Sequence, residues 1–186
     1  MSVLGELQPN KVFKYFEEIC SIPHGSRNLQ QISDYLVDFA KAHELKYRQD
    51  EDLNVIIWKD GSKGYEASEP VILQGHMDMV AVKEADCDKD MEKEGLDLEI
   101  NGDYISAKGT SLGGDDGIAV AYTLAVLDDE EMAHPPIEAI FTVNEEIGML
   151  GAATIDVSDL KGRLFMNMDS EDEGVFTAVS YTHLTL

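Results

Sequence analysis

Three short apolar runs, VILQG at 71–75, IEAIFTV at 137–143 and RLFMNM at 163–168, decide what this chain can fold into. They are short, apolar and bounded by turn formers, so each reads as a buried strand. Helical patterns lie between them, from about Asp116 to Leu127 and near 148–154. Strands alternating with helices build an α/β fold, here a mixed, mostly parallel sheet flanked by helices.

The amino-terminal half extends the pattern. Residues 9–20 place Val12, Phe13, Phe16 and Ile19 on one helical face, with Pro9 suited to the opening turn. A second helix is predicted from Asn28, as N-cap, to His43, with Leu29, Ile32, Leu36, Phe39 and Ala40 as its apolar stripe. LNVIIWK at 53–59 reads as a strand, and the alternation on both sides of Asn101-Gly102 predicts a hairpin over 96–107. In the helix that starts at Asp116, the buried side is assigned to Ile118, Ala121, Tyr122, Ala125 and Val126.

All three buried strands stop at groups that carry chemistry. VILQG ends in His76 and Asp78, IEAIFTVN in Glu145 and Glu146, and RLFMNM in Asp169. Open α/β sheets form their sites beyond the carboxyl ends of strands, so groups far apart in sequence can converge there. The glycine-rich turn TSLGGDDG at 110–117 brings Asp115 and Asp116 to a helix start. Taken alone, either aspartate is more simply an N-cap, His76 a hydrogen-bonded buried histidine, and the glutamate pair a solvated turn. Four separate elements delivering acids or histidine to one edge favour a shared site instead.

Histidine and carboxylates suit Zn²⁺, Mn²⁺ or Co²⁺. So many acids suggest two cations, since a lone catalytic zinc takes three protein ligands and water. Asp115, held in its turn, is the best placed to bridge them. Asp78, two residues from His76 on a strand-like segment, can orient the imidazole.

Composition narrows the alternatives. With 14 basic against 37 acidic residues the formal charge is -23, which disfavours partners rich in phosphate, both nucleic acids and anionic membranes. No apolar run approaches the roughly 20 residues that span a bilayer. Cys20 and Cys87 form no metal-binding spacing, and the start of the chain has no leader pattern, which together suggest a reducing cytoplasm. The glycine-rich turn lacks the GK[ST] of a phosphate loop, and no GxSxG nucleophile elbow occurs. Asp86, Asp88 and Asp90 open like a calcium loop, but Met91 and Asp97 stand at its sixth and twelfth positions. His24 reads as a loop histidine.

The ordered set QGHMDMV, GTSLGGDDGIAVAY, FTVNEEIGMLGA and NMDSEDEGVF closely resembles the aminoacyl-histidine dipeptidases, within the zinc metallopeptidase family that includes carboxypeptidase G and the aminoacylases. The resemblance implies hydrolysis of dipeptides, Xaa-His among them, by a water that two zinc ions activate. It assigns His76 and Asp169 to one metal, Glu146 to the other, and Asp115 to a bridge between them. Glu145 becomes the general base and Asp78 the partner of His76. It also implies a cis peptide between Asp115 and Asp116. An aminoacylase-like deacylase and a non-catalytic metal- or peptide-binding module are the alternatives, and Glu145 speaks against the second.

The resemblance stops near Ser180, where YTHLTL stands in place of a small-residue segment. The expectation is therefore the amino-terminal part of a catalytic domain over 1–180, followed by a divergent, non-native tail at 181–186. The lid and dimerisation domain and a distal histidine ligand would then be absent, and His183 would not replace that ligand. Such a fragment would be inactive, and homodimers would form only at full length.

Overall fold

The structure, a computed structural model, describes residues 2–170, 174–175 and 177–178. The expected divergent tail, with His183, lies outside the described residues. A five-stranded sheet runs in the order β1 (Lys46–Gln49), β2 (Val55–Lys59), β6 (Ile137–Thr142), β3 (Val71–His76), β7 (Leu164–Asn167). β3 pairs in parallel with β6 and β7, whereas β2 is antiparallel to both β1 and β6. Four of the five strands thus run the same way, and β3, β6 and β7 finish at one edge. The register His76↔Thr142 and Gln74↔Asn167 brings the segments after these strands side by side.

Helices α1 (Asn10–Cys20), α2 (Gln30–Ala42) and α3 (Gly114–Leu127) supply the core with Phe16, Ile32, Leu36, Val120 and Leu124, which meet Val55, Ile57 and Phe141 of the sheet. Among the described residues, no helix is long and apolar enough to cross a membrane. β6 is buried along its whole length, including Glu138. A carboxylate can occupy that position because the amides of Lys161 and Gly162 donate to it at 2.9–3.0 Å. α4 (Leu150–Thr154) is the short helix expected near 148–154.

RLFMNM forms a strand but not a buried one: β7 is exposed from Leu164 to Asn167, because it is the outer strand of the described sheet and pairs there with β3 alone. Four further details depart from the sequence reading. Asn28 does not cap α2; its side-chain amide donates to the Glu92 carbonyl, and Leu29 takes the N-cap position. β1 was not anticipated, since KYRQ carries no apolar run and owes its strand form to pairing with β2. The hairpin of β4 (Leu98–Asn101) and β5 (Tyr104–Ala107) turns at Gly102-Asp103, one residue later than Asn101-Gly102. Only Gly102 there has a left-handed φ, 64°, which puts the glycine at the first central position of the turn.

The fourth concerns α3, which presents a different face. Val120, Leu124 and Leu127 are buried with Ala121, whereas Tyr122 is exposed and Ile118, Ala125 and Val126 are half-buried. GIAVAYTLAVL is apolar on every side, so periodicity cannot choose its face. Packing against α1 and β3 chooses it.

Candidate active site

His76 is the last residue of β3 and only 1% exposed. Its Nδ1 lies 2.9 Å from the Asp78 carbonyl oxygen and 3.5 Å from Asp78 Oδ1. Donation from Nδ1–H to that carbonyl sets the tautomer and leaves the Nε2 lone pair facing outward. Nε2 then points at carboxylates, with Asp115 Oδ1 at 3.0 Å and Glu145 Oε2 at 3.8 Å. A lone pair and a carboxylate cannot rest at 3.0 Å without a proton or a cation between them.

The turn before α3 makes this approach possible. Gly113 has φ 68°, and regular helical geometry is interrupted at Asp115 and Asp116. The peptide between the two aspartates is cis, as the resemblance implied. Neither side chain caps the helix, so the plain N-cap reading fails for both. They diverge instead: the Asp115 side chain is 71% exposed and faces the His76 ring, while Asp116 is 2% exposed and accepts the His76 amide at 3.2 Å. Gly75 permits this contact, because a Cβ there would stand 2.7 Å from Asp116 Oδ2 and 2.9 Å from the Cβ of Ala119.

The remaining groups arrive from β6 and β7. Donor atoms of His76, Asp115 and Glu146 lie within 4.8 Å of one another, as do those of His76, Glu145 and Asp169. The ligand candidates read from the sequence thus fall in two groups that share His76, the second of them including Glu145. Asp78 sits beneath it, fully shielded, accepting from the Glu145 amide at 3.0 Å and from the Ser26 hydroxyl at 2.8 Å. A cavity of about 320 Å³ opens beside Asp115, Asp116 and Asp169. A larger one, about 830 Å³, lies beside Arg27 and the 88–92 loop and touches none of these carboxylates.

The electrostatics follow from crowding acids around a buried ring. Burial opposes a charge on His76, but hydrogen bonding to Asp78 and the negative charges of Asp116 and Asp78 outweigh it, pushing the imidazole up to about 9. Burial also opposes ionisation of Asp78, yet the hydrogen bonds from His76, Glu145 and Ser26 hold it below the usual carboxylate range. Burial pushes Asp116 up to about 7 against the pull of His76. Burial and the neighbouring Asp115 raise Glu146. An excess of negative charge around one imidazole nitrogen is the environment a divalent cation relieves, and one nitrogen among oxygens is a donor set suited to zinc, manganese or cobalt.

Sequence reasoning missed Ser26 and Asn144, which meet the site from outside its motifs. It also left Asp116 as a cap or the partner in a cis bond. Only its place just after Asp115 hinted at the contact with the His76 amide.

No family model matches the chain. It is 40% identical over 174 residues to the cytosol non-specific dipeptidase of Escherichia coli strain K12, which covers 94% of this chain and 36% of that protein. The crystal structure of aminoacylhistidine dipeptidase from Vibrio alginolyticus superposes with a TM-score of 0.89 at 40% identity, covering 92% of this chain and 35% of the other. A tripeptidase from Staphylococcus aureus shares the fold, with a TM-score of 0.73 at 23% identity over 90% of this chain and 45% of that one. The chain thus spans about a third of the length of the dipeptidases it matches.

Proposed function

We propose that this chain, similar over nearly its whole length to about a third of an aminoacylhistidine dipeptidase, carries most of the catalytic centre of a metal-dependent hydrolase of dipeptides, Xaa-His among them. The observation that supports this best is the gathering of His76, Asp115, Glu145, Glu146 and Asp169 donor atoms within 4.8 Å sets around one imidazole. In this reading His76 and Asp169 would hold one cation, Glu146 would hold the other, and Asp115 would be shared between them. When bound, Zn²⁺, or Mn²⁺ or Co²⁺ in its place, would polarise the scissile carbonyl and make water acidic enough to attack at neutral pH.

The chain's own residues do the rest. Glu145 takes the proton of the attacking water and returns it to the leaving amine. Its amide is tied to Asp78 Oδ1, so the base and the His76 loop keep one geometry. Asp78 holds the Nδ1–H side of His76 through its carbonyl and its charge, which keeps Nε2 turned toward the acids. Asp116 anchors the same residue from behind by its amide.

Among the described residues, Asp115 and Glu146 are the two donors assigned to the second cation, one fewer than a catalytic zinc takes. This reading also expects the 186-residue chain alone to be inactive. The same reading expects a cytoplasmic enzyme, homodimeric at full length.

The test is an assay of the full-length protein on a panel of dipeptides and N-acyl amino acids, with and without chelator. Chelator-sensitive release of amino acids from dipeptides is the expected result. Preference for N-acyl amino acids would move the assignment to a deacylase, and hydrolysis indifferent to chelator would overturn it.

A further inference from the structure

The segment ahead of α2 runs between the two loops that carry the site. The His24 carbonyl accepts from the Met79 amide at 3.2 Å, Gly25 forms a single parallel bridge with Met79, and the Ser26 amide donates to the Met79 carbonyl at 3.1 Å. The segment presses so closely that a Cβ on Gly25 would stand 2.6 Å from that of Ala81. On the far side, the Arg27 amide donates to Asn144 Oδ1 at 2.8 Å, next to Glu145. Arg27 and Asn144 both hold left-handed φ, 72° and 54°, a conformation that asparagine adopts readily but that is uncommon for arginine.

Pinned from both sides, Ser26 donates its hydroxyl to Asp78 Oδ2 at 2.8 Å. The Asp78 side chain is fully shielded, and a buried carboxylate needs donors on its oxygens. Oδ1 takes the Glu145 amide and faces His76 Nδ1. Among the described residues, Oδ2 has the Ser26 hydroxyl as its one hydrogen-bond partner.

We propose that Ser26, 52 residues before Asp78 in the chain, is a positioning residue of the active centre: its hydroxyl fixes the Asp78 carboxylate and, through it, the His76 ring and the Glu145 loop. This rests on the metal-hydrolase reading above. Ser26 touches no reacting atom; it acts through Asp78, as partners of metal-binding histidines do.

The experiment is a Co²⁺ titration of the full-length protein, followed by the absorption spectrum of the bound ion and by competition with a chromophoric chelator. The variants are Ser26→Ala, Ser26→Thr, Asp78→Asn and the Ser26→Ala/Asp78→Asn double variant, each with the melting temperature of the metal-free form. Ser26→Ala is expected to weaken Co²⁺ binding roughly 10- to 100-fold and to alter the spectrum, and Ser26→Thr to restore both. The double variant should bind no worse than Asp78→Asn alone, since the two residues act in one line. If Ser26→Ala does not fold, Ser26→Cys keeps the volume with a weaker donor and is read in the same way. Wild-type affinity and spectrum in Ser26→Ala, or additive losses in the double variant, overturn the role of Ser26 and leave the hydrolase reading standing. A wild-type protein that binds no Co²⁺ overturns both.

Discussion

His76 Nε2 stands 3.0 Å from Asp115 Oδ1, although 39 residues separate them in the chain. Two structural decisions produce that distance. β3 delivers the imidazole at its last residue, and α3 starts close enough for its irregular first turn to lay Asp115 against the ring. Because Nδ1 is engaged by the Asp78 carbonyl, the nitrogen that meets Asp115 is the one free to bind a cation.

Removing Glu145, the base in the proposed mechanism, should separate binding from turnover. In the full-length protein, Glu145→Gln is expected to lower kcat by about 10²- to 10⁴-fold while Zn²⁺ affinity by calorimetry stays near that of the wild type. A variant that keeps its rate would take the general-base role away from Glu145.

Removing the cation should cost stability as well as activity. Carboxylates crowded around His76 repel one another, and a ligand that binds only the folded state stabilises it by about 2.7 kcal/mol at a hundred times its Kd. Chelation is expected to abolish hydrolysis and lower Tm, with Zn²⁺, Mn²⁺ or Co²⁺ restoring both. An unchanged Tm, read by calorimetry with and without chelator, would mean that the cluster holds no cation in the folded protein.

The close approach of α3 to β3 depends on Gly75. A methyl group at that position meets Asp116 Oδ2 at 2.7 Å and the Ala119 Cβ at 2.9 Å. Gly75→Ala should therefore destabilise the fold by about 1–3 kcal/mol and weaken metal binding by displacing Asp115. Urea unfolding and a Zn²⁺ titration measure the two effects, and neutrality in both would show that α3 has room to shift.

A pH effect is expected far from the site. Burial works against the charge on Glu17, but its carboxylate accepts from the Ser2 hydroxyl and from the Val3 and Leu4 amides, which hold it below its ordinary value of 4.5. A depressed carboxyl stabilises the fold above its unfolded value, and the contribution disappears as pH falls through the folded one. Glu17→Gln should thus be less stable than wild type at pH 7, and the gap should close below about pH 4. Urea denaturation across pH 3–7 tests it; a gap that persists in acid would assign the effect to packing.

Much of the fold was legible because it rests on local pattern. VILQG, IEAIFTV and RLFMNM became β3, β6 and β7, since a short apolar run between turn formers favours a strand, but burial followed only for β3 and β6, and Leu164, Phe165 and Met166 of β7 are exposed. The misses have equally physical causes. KYRQ became β1 only because β2 offered it an edge, and α3 turned a face that an all-apolar helix cannot advertise. Asn28 gave its side chain to Glu92, a partner 64 residues away that no capping rule could foresee.

The site divides along the same line. The order of the chain already determined that His76, Asp78, Glu145, Glu146 and Asp169 stand just past apolar strands, and that Asp115 stands in a glycine turn at a helix start. Parallel strands paired in one sheet carry their flanking residues to the same edge, so a strand-forming local pattern was enough to bring those groups to one side of the molecule. Tertiary structure decided what each would do there. It turned Nε2 rather than Nδ1 toward the acids, exposed Asp115 while burying Asp116, and brought Ser26 under Asp78. Those outcomes depend on how closely separate elements approach and which buried polar atoms lack other partners, and neither is defined until the chain has folded.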